Sequence, residues 1–115
     1  MTEYLILFAK LLPLLIAIES GGNPNAIGDG GLAVGILQIH PCVVEDVNRL
    51  LNHKTFDLED RYDPAASITM CRIYLFHHWK RGNRDLLSLG CRWNQPYAPD
   101  NPKYRAKLKK ERNEQ

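Results

Sequence analysis

Hydrophobic residues crowd the first eighteen positions and predict a long helix. Between Glu3 and Ile18 they fall on every side of a helical projection rather than on one face. This pattern is typical of a helix surrounded by other elements, so we expect a buried central helix here. Pro13 removes one backbone hydrogen bond. A shorter helix that starts at Leu12 or Pro13 and ends at Glu19 is therefore the alternative.

A glycine-rich stretch follows this helix. Residues 21–34 contain five glycines together with Asn23, Pro24, Asn25 and Asp29. Such a density of turn-forming residues predicts tight turns or a short hairpin with its tip at residues 28–31. The next apolar segment, residues 36–39, is too short for its periodicity to distinguish a strand from a helical turn.

Apolar spacing and helix-start signals predict four further helices. Pro41 opens the first of them, and Asp63-Pro64 is a capping pair that opens the second. The predicted helices cover about residues 42–52, 64–82, 85–93 and 102–112. In the first of these, the inward face is expected to carry Val43, Val47, Leu50 and Leu51. The fold class predicted is mainly α: a compact helical domain around a buried helix, with a small glycine-rich loop or hairpin.

Composition changes this picture little. A chain of 115 residues with 44% hydrophobic and 24% charged residues has the size and make-up of one globular domain, so residues 1–115 are expected to form a single domain. Residues 101–115 form its basic C-terminal helix, which is open to fraying. The formal net charge of +2 does not call for nucleic acid. We expect a monomer with no nucleic-acid partner, and interpret the basic C-terminal residues as a solvated helix face.

The three cysteines, Cys42, Cys71 and Cys91, are an odd number without close pairing. This argues against a disulfide scaffold, and we expect buried, reduced thiols. Their spacing from histidines matches no zinc motif. We therefore expect no metal site and no cofactor.

The apolar N-terminus does not have the features of a secretory signal. It carries Glu3 and no positive charge before the apolar run, Lys10 interrupts that run, and no small-residue cleavage site follows. It is also shorter than the roughly 20 apolar residues of a membrane-spanning helix. We expect no stable membrane insertion and no export signal, which favours a phage-associated protein or one exported by other means.

Glu19 is the first candidate for chemistry, because it closes the apolar helix. Apolar surroundings and the negative end of a helix dipole both disfavour an ionised carboxylate, so we expect burial of Glu19 and a raised pKa. A carboxyl group that keeps its proton is what general-acid cleavage of a glycosidic bond requires. The alternative is an ordinary exposed glutamate at a frayed helix end.

Motifs around Glu19 resemble those of a known enzyme group. The letters E-S-G-x-N-P-x-A at residues 19–26, then G-I-L-Q-I-x-P at residues 35–41, are similar to E-S-x-x-N-P-x-A and G-L-M-Q-I-x-P of lytic transglycosylases and goose-type lysozymes. Y-D-P at residues 62–64 with Ile68 resembles the F/Y-D-P-x-x-N-I helix start of that group, and Trp93-Asn94 falls where it has A-Y-N-A-G. The resemblance spans roughly residues 12–108 and implies an α+β lysozyme-like fold that acts on the glycan strands of peptidoglycan.

The resemblance also implies roles for individual residues. Glu19 matches the catalytic acid, Ser20 the residue whose hydroxyl supports the site, and Gln38 the glutamine that lines the sugar cleft near the cleaved bond. Asn94 matches the asparagine of the late motif. Glycines in the loop would let a polysaccharide approach the backbone closely.

Three departures from the group's pattern concern the far wall of the expected cleft. Trp93 stands where the group has tyrosine, so a hydroxyl near the catalytic carboxyl is missing or comes from Tyr97 or Tyr104. Gln95-Pro96 replaces a pair of small residues, and Leu37 replaces a methionine.

The type of cleavage depends on a second carboxylate. An inverting hydrolase needs one about 6.5–9.5 Å from the acid to activate water. Asp29 is the only other acidic residue in the motif region; goose-type lysozymes have an aspartate in a similar G-D-x-G loop, but their further aspartate is His40 here. We favour the group's other route, in which the muramic acid 6-hydroxyl closes a 1,6-anhydro ring. A muramidase that uses Asp29 remains open, as does an Asp29 that merely shapes the turn.

Two non-enzymatic alternatives also remain. A lysozyme-like fold kept only to bind glycan or a structural partner is suggested by the altered late motif at Trp93 and Gln95. A nucleic-acid binder that uses the basic C-terminal helix has less support, because no aromatic residues alternate with its charges.

Overall fold

Five α-helices and one short hairpin are present in the computed structural model, which describes residues 1–114. The helices are α1 (Thr2–Glu19), α2 (Pro41–Leu51), α3 (Pro64–Lys80), α4 (Leu86–Asn94) and α5 (Pro102–Glu114), and the strands are β1 (Ile27–Gly28) and β2 (Ala33–Val34). Two 3₁₀ turns lie at Asp29–Gly31 and Leu58–Tyr62. The predicted mainly α, lysozyme-like fold class is confirmed. Gln115, the last residue of the predicted C-terminal helix, lies outside the described residues.

Helix α1 runs without a break through Pro13, so the alternative of a helix that starts at Leu12 or Pro13 is wrong. Its buried residues recur at helical spacing and are Tyr4, Phe8, Leu11, Leu14 and Leu15. Leu5 and Ile6, in contrast, are 42% and 54% exposed. The expectation of burial on every side therefore holds only in part, because the N-terminal half of α1 has a solvent-facing side.

The chain divides into two compact units. The first covers Met1–Ile18 and the described residues from Leu75 onward, and the second covers Glu19–Tyr74. The single domain expected over residues 1–115 stays a prediction. Of the sequence-predicted site residues, Glu19, Ser20, Asp29 and Gln38 belong to the second unit.

Aromatic and leucine contacts build the core of the first unit. The Tyr4 ring lies 5.0 Å from that of Phe76 and 5.9 Å from that of Trp79. A methyl group on Gly90 of α4 would lie 2.8 Å from a methyl carbon of Leu108 and 3.0 Å from one of Leu11. The missing side chain at Gly90 therefore lets α1, α4 and α5 pack closely.

Charge is distributed unevenly between the two units. The first unit carries eleven lysines and arginines against five acidic residues, a formal charge of +6, whereas the second carries four against eight, a formal charge of −4. The modest net charge of +2 for the whole chain hides this difference. Much of the positive charge comes from α5, whose Lys103, Lys107 and Lys110 are exposed.

The hairpin and the segment after it form one side of the second unit. Strands β1 and β2 pair antiparallel, with Ile27 opposite Val34 and Gly28 opposite Ala33. Val34 also forms a bridge with Ile39, which folds residues 35–38 into a tight turn. This arrangement resolves the ambiguity at residues 36–39: they form a turn that ends in an isolated bridge.

The predicted inward face of α2 is partly wrong. Val47 is buried as expected, but Val44 is buried in place of Val43, while Leu50 and Leu51 are 43% and 39% exposed. The last turn of α2 therefore keeps two leucines at the surface. Relative to the predicted face, the buried face of α2 is rotated by about one residue.

All three cysteines are free thiols. Cys71 and Cys91 are buried as expected, but Cys42 is exposed, because it lies in the first turn of α2 on the solvent side. Within residues 1–114, no helix is both long enough and apolar enough to cross a membrane.

Candidate active site

Glu19 is the last residue of α1 and is partly exposed rather than fully buried. Gly21 and Gly22 follow with φ angles of 65° and 92°, a left-handed conformation that side chains disfavour and that ends the helix. The carboxyl group thus lies at the negative end of the helix dipole and retains access to solvent. A substrate-contacting acid needs such access, which full burial would deny.

Ser20 connects the end of α1 to the segment that carries Gln38. Its hydroxyl donates to the Ile36 carbonyl at 2.7 Å and accepts from the Gly22 amide at 3.0 Å. The hydroxyl therefore fixes the backbone on both sides of the glycine-rich loop, next to Glu19 in sequence. This geometry agrees with the supporting role expected for Ser20.

Cys71 of α3 interacts electrostatically with Glu19. The Cys71 side chain is 0% exposed. Burial raises the pKa of its thiol well above the ordinary value, and the negative charge of Glu19 raises it further. The Cys71 thiol therefore stays neutral and lies within electrostatic range of the Glu19 carboxyl group.

Gln38 occupies a left-handed backbone conformation, with φ of 52°. Its side-chain Nε2 donates to the carbonyl oxygens of Ala26 and Gly35, at 3.1 Å each. Two carbonyl acceptors identify this atom as the nitrogen, because a carbonyl oxygen would repel both. Gly28 allows the arrangement, since a methyl group there would lie 2.4 Å from the side-chain oxygen of Gln38. The nitrogen of Gln38 thus holds the loop together.

Asp29 lies at the hairpin tip and contacts His40. Its Oδ2 is 2.8 Å from Nε2 of His40, and the two side chains are 69% and 36% exposed. Asp29 also has a positive φ of 50°, which suits an aspartate in a tight turn. Asp29 therefore shapes the turn and pairs with the histidine, a contact that its sequence position alone did not suggest.

Trp93 and Asn94 are the last two residues of α4, in the first unit. Trp93 is partly exposed and Asn94 is exposed. The two tyrosines considered as substitutes for the missing hydroxyl belong to the same unit: Tyr104 is 5% exposed and Tyr97 is 67% exposed. Their roles at the site stay predictions.

Two buried polar residues of the second unit escaped the sequence analysis. Arg61 is 8% exposed and Ser67 is 0% exposed. The Ser67 hydroxyl donates to the Arg61 carbonyl at 2.9 Å, and the Arg61 side chain donates to carbonyls of the loop region. The loop acceptors of Arg61 lie 29 and 22 residues away in sequence, so local signals do not reveal them, and Ser67 stands where the F/Y-D-P-x-x-N-I pattern has its asparagine.

The described residues contain no group of three or more histidine, cysteine, aspartate or glutamate side chains placed to hold a metal ion. The chemistry that the second unit offers comes from one partly exposed carboxyl group, a loop ordered by Gln38 and Ser20, and the Asp29–His40 pair. This set is suited to acid catalysis on a polymer that lies against backbone.

Comparison with protein families agrees with this reading. The sequence model of the transglycosylase SLT domain matches residues 7–111, nearly the whole chain. The chain belongs to the transglycosylase SLT domain family. The match includes every sequence-predicted site residue, from Glu19 to Asn94. No curated protein and no solved structure matches the chain.

Membership of the SLT family supports lytic transglycosylase activity on peptidoglycan in general terms, and with it action on the cell wall. The resemblance stated from residues 19–41 is thereby confirmed at the level of the family.

Proposed function

We propose that this SLT domain cleaves the β-1,4 bond between N-acetylmuramic acid and N-acetylglucosamine in peptidoglycan, with Glu19 as its one catalytic acid. The observation that carries the proposal is the position of Glu19: a partly exposed carboxyl group at the C-terminal end of α1, beside the buried thiol of Cys71. The negative end of the helix dipole disfavours an ionised carboxylate, which suits a general acid.

The proposed reaction uses the carboxyl group of Glu19 twice, first as an acid and then as a base. Glu19 donates it to the glycosidic oxygen, and the bond from that oxygen to C1 of muramic acid breaks. The 6-hydroxyl oxygen of the same sugar then attacks C1, and the Glu19 carboxylate accepts the hydroxyl proton. The products are a 1,6-anhydro-muramic end and a free 4-hydroxyl, and the enzyme returns to its starting state. No water is consumed, and no cofactor or metal is required.

Substrate contacts are assigned to Ser20, Asp29, Gln38, Trp93 and Asn94. The contacts of Ser20 and Gln38 support a role in shaping the loop that faces the sugar, since their hydroxyl and amide groups are bonded to its backbone. Trp93 and Asn94 are included only because they stand at the position of the late motif. The protein is proposed to act as a monomer on glycan strands.

A hydrolytic muramidase is the second candidate, and the Asp29–His40 contact is the observation that keeps it. Asp29 is 69% exposed, so it has room for a water molecule, and the bond to His40 at 2.8 Å fixes one carboxylate oxygen. If Asp29 activated water, Asp29→Asn would abolish cleavage. In the transglycosylase route Asp29 only contacts the substrate, so Asp29→Asn weakens cleavage without abolishing it.

Replacement of Glu19 tests the proposal. Glu19→Gln keeps the size of the side chain and removes the acid, so the rate of peptidoglycan clearing should fall by at least about 100-fold. Glu45→Gln on the exposed side of α2 is the matched control and should clear at the wild-type rate. Circular dichroism and urea unfolding of both variants should show an intact fold.

Two results count against the proposal. Clearing by Glu19→Gln at the rate of Glu45→Gln would remove Glu19 from the mechanism. A wild-type protein that sediments with peptidoglycan and never clears it would favour a domain that only binds glycan.

A further inference from the structure

Arg61 is a permanently charged side chain that is 8% exposed. It lies in the 3₁₀ turn Leu58–Tyr62, and its Nε donates to the Leu58 carbonyl at 2.9 Å. Its Nη1 donates to two more carbonyls, of Leu32 at 2.9 Å and of Ile39 at 3.0 Å. No ion pair within residues 1–114 includes Arg61. Burial of a charge is costly, so a buried arginine without an ion pair depends on its hydrogen bonds to carbonyl oxygens.

The two distant carbonyls mark the ends of one segment. Leu32 directly precedes β2, and Ile39 directly follows Gln38. A single nitrogen of Arg61 therefore holds both ends of residues 32–39, the segment that contains β2 and Gln38. Because a guanidinium group is planar and its donors have fixed directions, it can hold several acceptors in one arrangement.

The Arg61 backbone contacts the middle of the same segment. A methyl group added to Gly35 would lie 2.0 Å from the Arg61 carbonyl oxygen. That oxygen accepts the Ser67 hydroxyl at 2.9 Å, which fixes its position. Arg61 thus meets residues 32–39 at both ends through its side chain and in the middle through its carbonyl.

Gln38 needs this support. Its φ of 52° is unfavourable for a residue with a side chain and persists only where the surroundings enforce it. The neighbouring Ile39 is held on both sides: its amide donates to the Val34 carbonyl at 3.0 Å, and its carbonyl accepts from Arg61. The side chain of Gln38 can bond Ala26 and Gly35 only while this backbone stays in place.

We propose that Arg61 is a positioning residue for the substrate loop, which acts by clamping residues 32–39 so that Gln38 and the glycine-rich hairpin keep the arrangement that receives the sugar. This inference rests on the proposed function, since it takes the loop that carries Gln38 to be the surface that receives the sugar. Arg61 itself does not touch the reacting atoms. Its charge strengthens each bond to a carbonyl, and its planar shape sets their direction.

Two substitutions and one control test the inference. Arg61→Lys keeps the positive charge but cannot reach Leu58, Leu32 and Ile39 together, and Arg61→Met removes all the donors. Arg49→Lys, on the exposed face of α2, is the matched control. For each variant we measure kcat and KM on soluble peptidoglycan glycan chains well below its Tm, together with amide hydrogen exchange at Val34 and Ile39.

The inference predicts a local effect. Arg61→Lys should lower kcat/KM by about 10- to 100-fold per folded molecule, and Arg61→Met should lower it further. Exchange at the paired amides of Val34 and Ile39 should become at least about tenfold faster, without the same change in α2. Arg49→Lys should match the wild type in both measurements.

The inference is overturned if Arg61→Lys keeps kcat/KM within about twofold of the wild type and leaves exchange at Val34 and Ile39 unchanged. It is equally overturned if exchange rises uniformly over the second unit while kcat/KM stays constant, because Arg61 would then contribute only stability. Should Arg61→Met fail to fold, Arg61→Lys decides alone. An inactive wild-type protein refutes the proposed function, whereas the exchange data still test whether Arg61 clamps the loop.

Discussion

Replacement of Gly35 by alanine probes the contact that holds the substrate loop against the 3₁₀ turn at Arg61. Gly35 has φ of 86°, and an added methyl group would lie 2.0 Å from the Arg61 carbonyl oxygen. Ordinary van der Waals contact begins at 3.4 Å, so the two backbones would have to separate by about 1.4 Å. The carbonyl cannot retreat freely, because it also accepts the Ser67 hydroxyl.

Two costs add at this position. The left-handed backbone costs about 1–2 kcal/mol for alanine, and the overpacked contact costs about 1–3 kcal/mol more. Gly35→Ala should therefore lower the free energy of unfolding by about 2–5 kcal/mol. Gly30 is the matched control, since it has φ of 67° and no atom within 4 Å of the added methyl group. Gly30→Ala should cost only the backbone part, about 1–2 kcal/mol.

Urea unfolding followed by circular dichroism measures both costs. With a slope of about 1–3 kcal/mol per molar urea, the difference between the two variants should appear as a separation of midpoints of the order of 1 M. Equal midpoints for Gly35→Ala and Gly30→Ala would refute the reasoning, because the close approach of Gly35 to Arg61 would then carry no energy.

Three other predictions concern the helices and the loop. At the start of α4 the Asp85 carboxylate accepts the backbone amide of Ser88, and this hydrogen bond lowers the pKa of Asp85. The contribution of Asp85 to stability is therefore complete above the ordinary pKa of a carboxyl group and is lost as pH falls through the lowered value. In urea unfolding from about pH 6 to about pH 3, Asp85→Asn should therefore lose less stability than the wild type. Gly28→Ala, at a residue with ordinary backbone angles, should displace the side chain of Gln38 and reduce peptidoglycan clearing more than it reduces Tm. A double variant of α5, Lys107→Glu with Lys110→Glu, should sediment less with peptidoglycan at low salt, because the stem peptides of peptidoglycan carry carboxylates. At about 1 M salt the variant should sediment like the wild type, because charges are then screened within about 3 Å.

Local signals in the sequence were enough to predict most of the fold. The pair Asp63-Pro64 predicted the start of α3, and in the structure the Asp63 carboxylate accepts the Ala65 amide while the helix begins at Pro64. The glycine-rich stretch predicted the hairpin tip. These signals succeed because helix caps and turns are decided by residues that are neighbours in sequence.

Predictions that depended on distant contacts were less successful. Pro13 by itself favours a break, yet α1 continues through it, with Tyr4, Phe8 and Leu11 buried in the part of the helix before it. The inward face of α2 was assigned from spacing, and exposed Leu50 and Leu51 show that spacing does not reveal which turn is covered. Burial depends on which other elements pack against a residue, and a periodic pattern does not reveal them.

The residues of the candidate site differ in the same way: some follow from a local motif, and others depend on contacts that are distant in sequence. Glu19, Ser20 and Gln38 could be proposed from the sequence because their motif letters lie within residues 19–41. Arg61 could not be proposed, since its two acceptors in the loop lie 29 and 22 residues away and a lone arginine in a polar segment is usually at the surface. The Asp29–His40 contact could not be predicted for the same reason, since the partners are eleven positions apart in sequence.

Product analysis by mass spectrometry tests the central claim most directly. Purified peptidoglycan is digested with the wild-type domain, with Glu19→Gln as the inactive control, in water enriched in heavy oxygen. The account predicts muropeptides with 1,6-anhydro-muramic ends, each lighter by one water molecule than a reducing end and free of heavy oxygen. Reducing ends that carry solvent oxygen would contradict it and would assign the cleavage to hydrolysis.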